Sequence, residues 1–243
     1  FFSYVRWLAN LRDQIPGLAW VTEKVIGLAK DRPLPVWAKK YRAPHSDKTT
    51  DKPTVVLLGD TFNRSFEPDN LYAARYVLEY LGYEVIEAKP SSDNRPLCCG
   101  RTFLAAGLID EARREASRFI ETIAPWIRQG IPVVGLEPSC LLTLRDEFLA
   151  LLPGSDSEAL ANNALMFEEF LERELSEGRC SLNVKNTAPQ KVLIHGHCHQ
   201  KAAGIMGSVE ALLKRIPDVE VELIQSSCCG MAGHFGYQKE TLN

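Results

Sequence analysis

"VVLLGDT" at residues 55–61 and "VLIHGHC" at residues 192–198 align position for position, ending on Thr61 in the first and Cys198 in the second. The first run is apolar without alternation, the pattern of a parallel strand covered on both faces. Beyond each run, a further helix and strand lead to Cys-Cys-Gly, at residues 98–100 and 228–230. Two copies of one unit are the economical reading.

The intervening sequence fits that grammar. "LYAARYVLEYLG" (71–82) carries apolar residues three and four apart, and "YEVIEA" (83–88) reads as a second strand. In "DEARREASRFIETIAPWIRQG" (110–130), Ala112, Ala116, Phe119, Ile120, Ile123, Trp126 and Ile127 share one helical face, with Gly130 as the stop. "IPVVGLEP" (131–138) is a third strand. In the second copy, "ALANNALMFEEFLERELSEG" (159–178) reads as one helix and "KVLIHG" (191–196) as a strand. "KAAGIMGSVEALLKRIP" (201–217) then reads as a helix and "VEVELIQSS" (219–227) as a strand. The alternation predicts an α/β fold of two pseudo-repeated three-layer units with mainly parallel sheets and right-handed crossovers. Residues 1–44 form a helical, amphipathic lead-in, residues 45–53 a linker, and 54–157 and 158–243 the two units.

Composition narrows the function classes. With 243 residues, 45% hydrophobic and a formal charge of −3, the chain offers no basic surface, so nucleic acid is not an expected partner. The one basic cluster, "WAKKYR" (37–42), reads as solvated surface. No apolar run reaches the ~18 residues of a membrane span, and no leader pattern is present, so a cytoplasmic location is expected. The chain opens on Phe1 without an initiator methionine, as expected of a segment of something longer. Seven cysteines, four of them in two adjacent pairs, fit grouped thiols in a reducing compartment better than a disulfide framework.

The cysteines fall where strands give way to loops, at the edge where open α/β sheets hold ligands. Cys198, Cys228 and Cys229 are one crossover apart in the second copy. In the first, Cys98 and Cys99 are joined by Cys140 of "GLEPSC" at the start of a helix, whose dipole favours a thiolate there. Thiolates are soft donors suited to iron–sulfur clusters or zinc. Adjacent cysteines grip one tetrahedral zinc poorly, whereas a cluster presents several iron vertices. An iron–sulfur cluster therefore leads, with structural zinc, thiol chemistry and simple burial as alternatives. Gly100 and Gly230 permit a tight turn around a bulky inorganic group. His197 and His199 flank Cys198 as ligands or hydrogen-bond donors tuning a cluster. His195 reads as a hydrogen-bonded strand histidine and Cys180 as incidental. No side chain is assigned as a catalytic acid or base.

At these residues the sequence resembles the cysteine-rich CCG-domain family. That family includes the cysteine-rich component of heterodisulfide reductase and the iron–sulfur components of glycolate oxidase and anaerobic glycerol-3-phosphate dehydrogenase systems. It resembles most the C-terminal module of FAD-linked D-2-hydroxyacid dehydrogenases acting on D-lactate or D-2-hydroxyglutarate. The motifs, in order, are "DTFNRSFEPDN" (60–70), "CCGRTFLAAGLIDEA" (98–112), "GIPVVGLEPSCLLTLRDEF" (130–148), "HGHCHQKA" (195–202) and "SSCCGMAGHFGY" (226–237). The resemblance implies cluster ligation by Cys198, Cys228 and Cys229, with Cys98, Cys99 and Cys140 as counterparts. The family has a further cysteine at the position of Thr61 and another downstream of the second pair, so the second unit is expected to be C-terminally truncated.

The implied function is iron–sulfur electron transfer, through a 4Fe-4S cluster or, where the downstream ligand is missing, a lost or incomplete cluster in this fragment. FAD would be bound outside this chain, which has no glycine-rich dinucleotide fingerprint and no ferredoxin-type cysteine run. Implied partners are upstream FAD and ferredoxin-like domains or subunits and an unidentified electron acceptor. Peripheral membrane association of the parent and homo-oligomerisation are both compatible with the sequence. The competing readings are a non-redox interface domain with a zinc or empty thiol site, and a component like that of heterodisulfide reductase. The chain alone is expected to be inactive.

Overall fold

A computed structural model describes residues 6–44, 51–89, 95–184, 189–227, 229–231 and 233–242. The lead-in holds two short helices, α1 (Arg6–Asn10) and α2 (Leu18–Ile26). Gly27, in the left-handed conformation at φ +74°, stops α2. The chain then runs without regular structure through the prolines at 33 and 35, so helix covers only part of the expected span. Residues 45–50, most of the expected linker, lie outside the described residues.

The first unit begins at β1 (Thr54–Leu57), followed by α3 (Thr61–Ser65), α4 (Pro68–Tyr80) and β2 (Glu84–Ile86). After it come α5 (Arg101–Ala105), α6 (Ile109–Ile127), β3 (Val133–Gly135), α7 (Pro138–Arg145), α8 (Glu147–Leu151) and α9 (Ser155–Asn163). The stretch expected as one helix over 159–178 is interrupted by β4 (Ala164–Met166) before α10 (Phe167–Ser176). β4 pairs with β3, giving a parallel four-stranded sheet in the order β2-β1-β3-β4. Local hydrogen bonds accompany the interruption. Asn163 turns its amide back onto the Ala159 carbonyl at 2.8 Å, and Glu169 accepts the Met166 N–H at 2.9 Å, which closes one helix and opens the next. Helical apolar spacing runs straight through the break, and the Asn162-Asn163 pair is the visible signal against it.

Both faces of this sheet are covered. Val56 and Val133 face α6, whose Ala112, Ala116, Phe119, Ile123 and Ile127 are all buried as the spacing predicts, and Phe119 meets Phe148 of α8 edge-on at 5.7 Å. Val55, Leu57, Val85 and Val134 face Leu71, Ala74 and Leu78 of α4 and Phe170 and Leu171 of α10. Tyr41 joins this second layer at 2% exposure, its ring 4.7 Å from that of Tyr72. The "WAKKYR" stretch is therefore anchored by two aromatic side chains, Tyr41 and Trp37, whose ring lies 4.5 Å from that of Phe66; periodicity reveals neither partner.

The second unit holds β5 (Gln190–Ile194), α11 (Cys198–Ala202), α12 (Met206–Leu213) and β6 (Val219–Leu223). The single helix expected over 201–217 is two, separated at Gly204 with φ +69°. β5 and β6 pair in parallel as a two-stranded sheet. Its exposure alternates along both strands, with Lys191 and Glu222 paired at 2.7 Å on the open face. The architecture is thus α/β, with two parallel sheets flanked by helices after a helical lead-in. Among the described residues no helix is long and apolar enough to cross a membrane.

A buried network ties α10 to the start of β2. Glu174 accepts from the Tyr83 hydroxyl at 2.6 Å, from Arg179 Nε and Nη2 at 2.6 and 2.7 Å, and from Arg173 at 3.0 Å. Burial works to raise the Glu174 carboxyl, but these hydrogen bonds outweigh it and hold the pKa down at about 2. A depressed carboxylate stabilises the fold fully above its unfolded value near ~4.3, and that contribution fades as pH falls towards 2. Replacing Glu174 by Gln should cost about 2 kcal/mol at pH 7, measured by urea unfolding, with the gap to wild type narrowing below pH ~4.

A candidate thiol site at the carboxyl edges of the sheets

The turn after the leading strand is built alike in both units. After β1, Asp60 Oδ1 accepts the N–H groups of Phe62 and Asn63 at 2.9 Å each, and the Asn63 amide donates to Asp60 Oδ2 at 2.7 Å. After β5, His197 Nδ1 accepts the N–H of His199 at 3.2 Å, and Gln200 Oε1 accepts the N–H of His197 at 3.3 Å. Both are N-caps that satisfy helix-start amides. Thr61 and Cys198 are therefore the first helical residues of α3 and α11, and Asn63 and Gln200 are both buried at the third position. Asp60 is buried enough that its carboxyl is pushed above the usual range despite its hydrogen bonds from Asn63, with the nearby Glu137 carboxylate adding to the rise.

In the first unit the three expected cysteines come together. Cys98 and Cys99 sit in the loop between β2 and α5, and Cys140 is the third residue of α7, whose N-cap Glu137 accepts from Ser139. Cys99 hydrogen-bonds Cys140 and Cys98 hydrogen-bonds Cys99. Cys99 and Cys140 are buried, and all three are thiols outside any disulfide. The hydrogen bond to Cys99, then burial, pushes the Cys98 thiol far up, and the hydrogen bond to Cys140 does the same to Cys99. Gly100 adopts φ +73°, and its amide donates to Cys98 Sγ at 3.4 Å. A Cβ there would also crowd the Ala112 carbonyl of α6 at 3.3 Å, so turn and packing both call for glycine.

The second unit is more open. Cys198 is half-buried at the start of α11, Cys229 is exposed, and Gly230 repeats the left-handed turn at φ +82°. Cys228 lies outside the described residues. His195, expected to be hydrogen-bonded on its strand, stands exposed just beyond the end of β5. His197 is occupied as a cap, and His199 Nε2 lies 3.3 Å from Arg101 Nη2, while Arg101 also pairs with Glu147. Burial, then the positive charge of Arg101, lowers the His199 pKa, which favours the neutral imidazole near pH 7. Arg101 follows the first Cys-Cys-Gly directly, so this contact joins the two thiol edges through α5 and α11.

Sequence reasoning missed Arg101, Glu147 and the buried amides Asn63 and Gln200. The signal for the amides was present, because the alignment of Thr61 with Cys198 also places Asn63 on Gln200. Among the described residues no three His, Cys, Asp or Glu side chains are arranged to hold a metal ion. The donors are of the soft kind that suits an iron–sulfur group. Each unit supplies three cysteines, with Thr61 in the first unit at the place that Cys198 takes in the second. Alongside the β1 and β3 ends runs a groove of about 450 Å³ bordered by Phe62, Asn63, Leu136, Glu137 and Phe167.

Fold and site together define a duplicated α/β module that presents soft sulfur donors at the carboxyl edges of its strands. No family model matches the chain, and no solved structure matches it. The chain is homologous to proteins named as dehydrogenases or as parts of them. It is 35% identical over 144 residues to one of the subunits of the anaerobic glycerol-3-phosphate dehydrogenase of Escherichia coli (strain K12), covering 59% of this chain and 36% of that protein. It is 27% identical over 190 residues to D-2-hydroxyglutarate dehydrogenase of Pantoea ananatis (strain AJ13355), covering 77% of this chain and 17% of that protein. The D-2-hydroxyglutarate dehydrogenase of Escherichia coli (strain K12) shares 25% identity over 187 residues, again across 17% of its length. The chain thus spans only a minor part of the relatives it matches.

The contrast in burial has a direct readout. Native protein exposed to iodoacetamide at pH 7.5 should be alkylated at Cys229 at least ~10-fold faster than at Cys99 or Cys140, because reactivity follows access and thiolate fraction. Peptide mass mapping with time would show it, and equal rates would contradict the buried, mutually hydrogen-bonded arrangement.

Proposed function

We propose that this chain is an iron–sulfur electron-transfer module of a flavin-dependent dehydrogenase that oxidises a D-2-hydroxy acid. The observation that carries the proposal is the repeated delivery of cysteines to strand carboxyl ends, at a capped helix start and at a left-handed Cys-Cys-Gly turn. Homology to the dehydrogenase proteins supports it.

The second unit is assigned as the cluster site, with Cys198, Cys228 and Cys229 as its cysteine ligands. When bound, a cluster would supply one-electron chemistry. The chain's own part is to hold Cys198 at the first turn of α11 through the His197 cap. It also seats the His199 imidazole against Arg101 beside that cysteine. In the first unit, the mutual hydrogen bonds of Cys98, Cys99 and Cys140 favour a different use of the same framework, as packed thiols at the interface with α5 and α7.

FAD and the substrate are assigned to other parts of the parent protein, in a cytoplasmic setting. The lead-in offers a seat for such a part. Trp7, Leu8, Trp20, Val25 and Ile26 are exposed there, and neither α1 nor α2 contains a buried residue.

Anaerobic reconstitution with iron and sulfide tests the reading. A content of about four irons and four sulfides per chain is expected, with visible charge-transfer absorption. Both should be lost on replacing Cys198 or Cys229 by Ser and kept on replacing Cys140 by Ser. Zinc binding alone, or no metal in any variant, would favour the interface reading.

A further inference from the structure

The alignment that sets Thr61 on Cys198 also sets Arg64 on Lys201, three residues further along the helix. Both cations reach across the carboxyl edge to the segment that follows the other strand of the pair. Arg64 donates to the Gly59 carbonyl at 2.6 Å and forms a buried ion pair with Glu87, just beyond β2. Lys201 Nζ donates to the carbonyls of Ser226 and Ser227 at 2.8 and 2.9 Å, beyond β6 and immediately ahead of the second cysteine pair.

The glycine before each cap belongs to the same device. A Cβ on Gly59 would lie 2.5 Å from Arg64 Nε, and a Cβ on Gly196 would lie 3.1 Å from Lys201 Cε and 2.6 Å from Met206 Sδ. Neither glycine is needed for a positive φ: the close passage of Arg64 accounts for Gly59, whereas at Gly196 Met206 comes closest and Lys201 next. A feature retained in both units, by different cations and different acceptors, is a constraint of the framework.

We propose that Lys201 is a positioning residue that ties the helix bearing Cys198 to the turn bearing Cys229, fixing the spacing of the second unit's sulfur donors. Its ammonium satisfies two carbonyls that no strand pairs, and it places a positive charge beside a site that would carry thiolates. The ligand role of those cysteines rests on the function proposed above; the clamp itself does not.

Hydrogen exchange on the purified chain decides the clamp. In Lys201→Met, amides in the 224–230 peptide should exchange at least ~10-fold faster while β1 and α6 peptides are unchanged, and Lys201→Arg should restore most of the protection. Unchanged exchange in Lys201→Met would overturn the proposal, as would equal loss in the Arg variant. In reconstituted protein, iron should be lost several-fold faster from the Met variant than from wild type or the Arg variant. If wild type takes up no iron, the proposed function fails, and the exchange result still decides the clamp.

Discussion

The parallel placement of β1 between β2 and β3 is the constraint from which the site follows. Val56 donates to the Pro132 carbonyl at 2.9 Å, Leu58 to Val134 at 2.7 Å and Glu84 to Pro53 at 2.9 Å, so these strands run together and end at one edge. Parallel strands need crossovers, and every crossover returns the chain to the opposite end. The loops at the carboxyl edge are therefore free to carry chemistry, and Thr61, Cys98, Cys99 and Cys140 all leave from it. Both faces of β1 are apolar, so side-chain alternation does little to hold its register. The Asp60 cap does more, because a one-residue slip would strand a buried carboxylate away from the amides of Phe62 and Asn63.

One framework supports two chemical environments. Four strands with helices on both faces enclose the first thiol group, where mutual hydrogen bonds and desolvation keep Cys98 and Cys99 protonated. Two strands with one open face leave the second edge wet, and Cys229 is exposed. The difference lies in coverage: β4 and α10 complete the first sheet, and α10 also packs against α12 of the second unit. Arg101 bridges the edges, pairing with Glu147 on one side and meeting His199 on the other.

The sequence made the larger plan readable where one force dominated. The α6 face from Ala112 to Ile127 was legible because burial on a single face imposes one period. The Thr61 and Cys198 equivalence was legible because a strand, a glycine and a cap must follow in order. β4 was hidden because Ala164, Leu165 and Met166 satisfy both a helical and a strand pattern, and pairing with β3 decides between them. The Arg101–His199 contact was hidden for another reason. It joins residues from different units, and no local spacing encodes it. The engagement of His197 as a cap was equally out of reach, since an imidazole between glycine and cysteine reads as a ligand until its Nδ1 is seen to accept an amide.

Leu28 bridges to Gln238, Ala29 donates to the Tyr237 carbonyl at 2.8 Å, and Lys239 donates to Gly27 at 2.8 Å. These contacts join segments at opposite ends of the described chain, so the polypeptide is a closed circuit held shut by a few main-chain bonds. Closing so wide a loop costs more chain entropy than closing a short one, and the contacts on either side of it must offset that cost. The second Cys-Cys-Gly turn lies just inside the clasp, with Met231 against Arg32. Arg32 and Met231 are thus neighbours in space although 199 positions separate them along the chain, which makes the lead-in part of the surroundings of the second Cys-Cys-Gly turn.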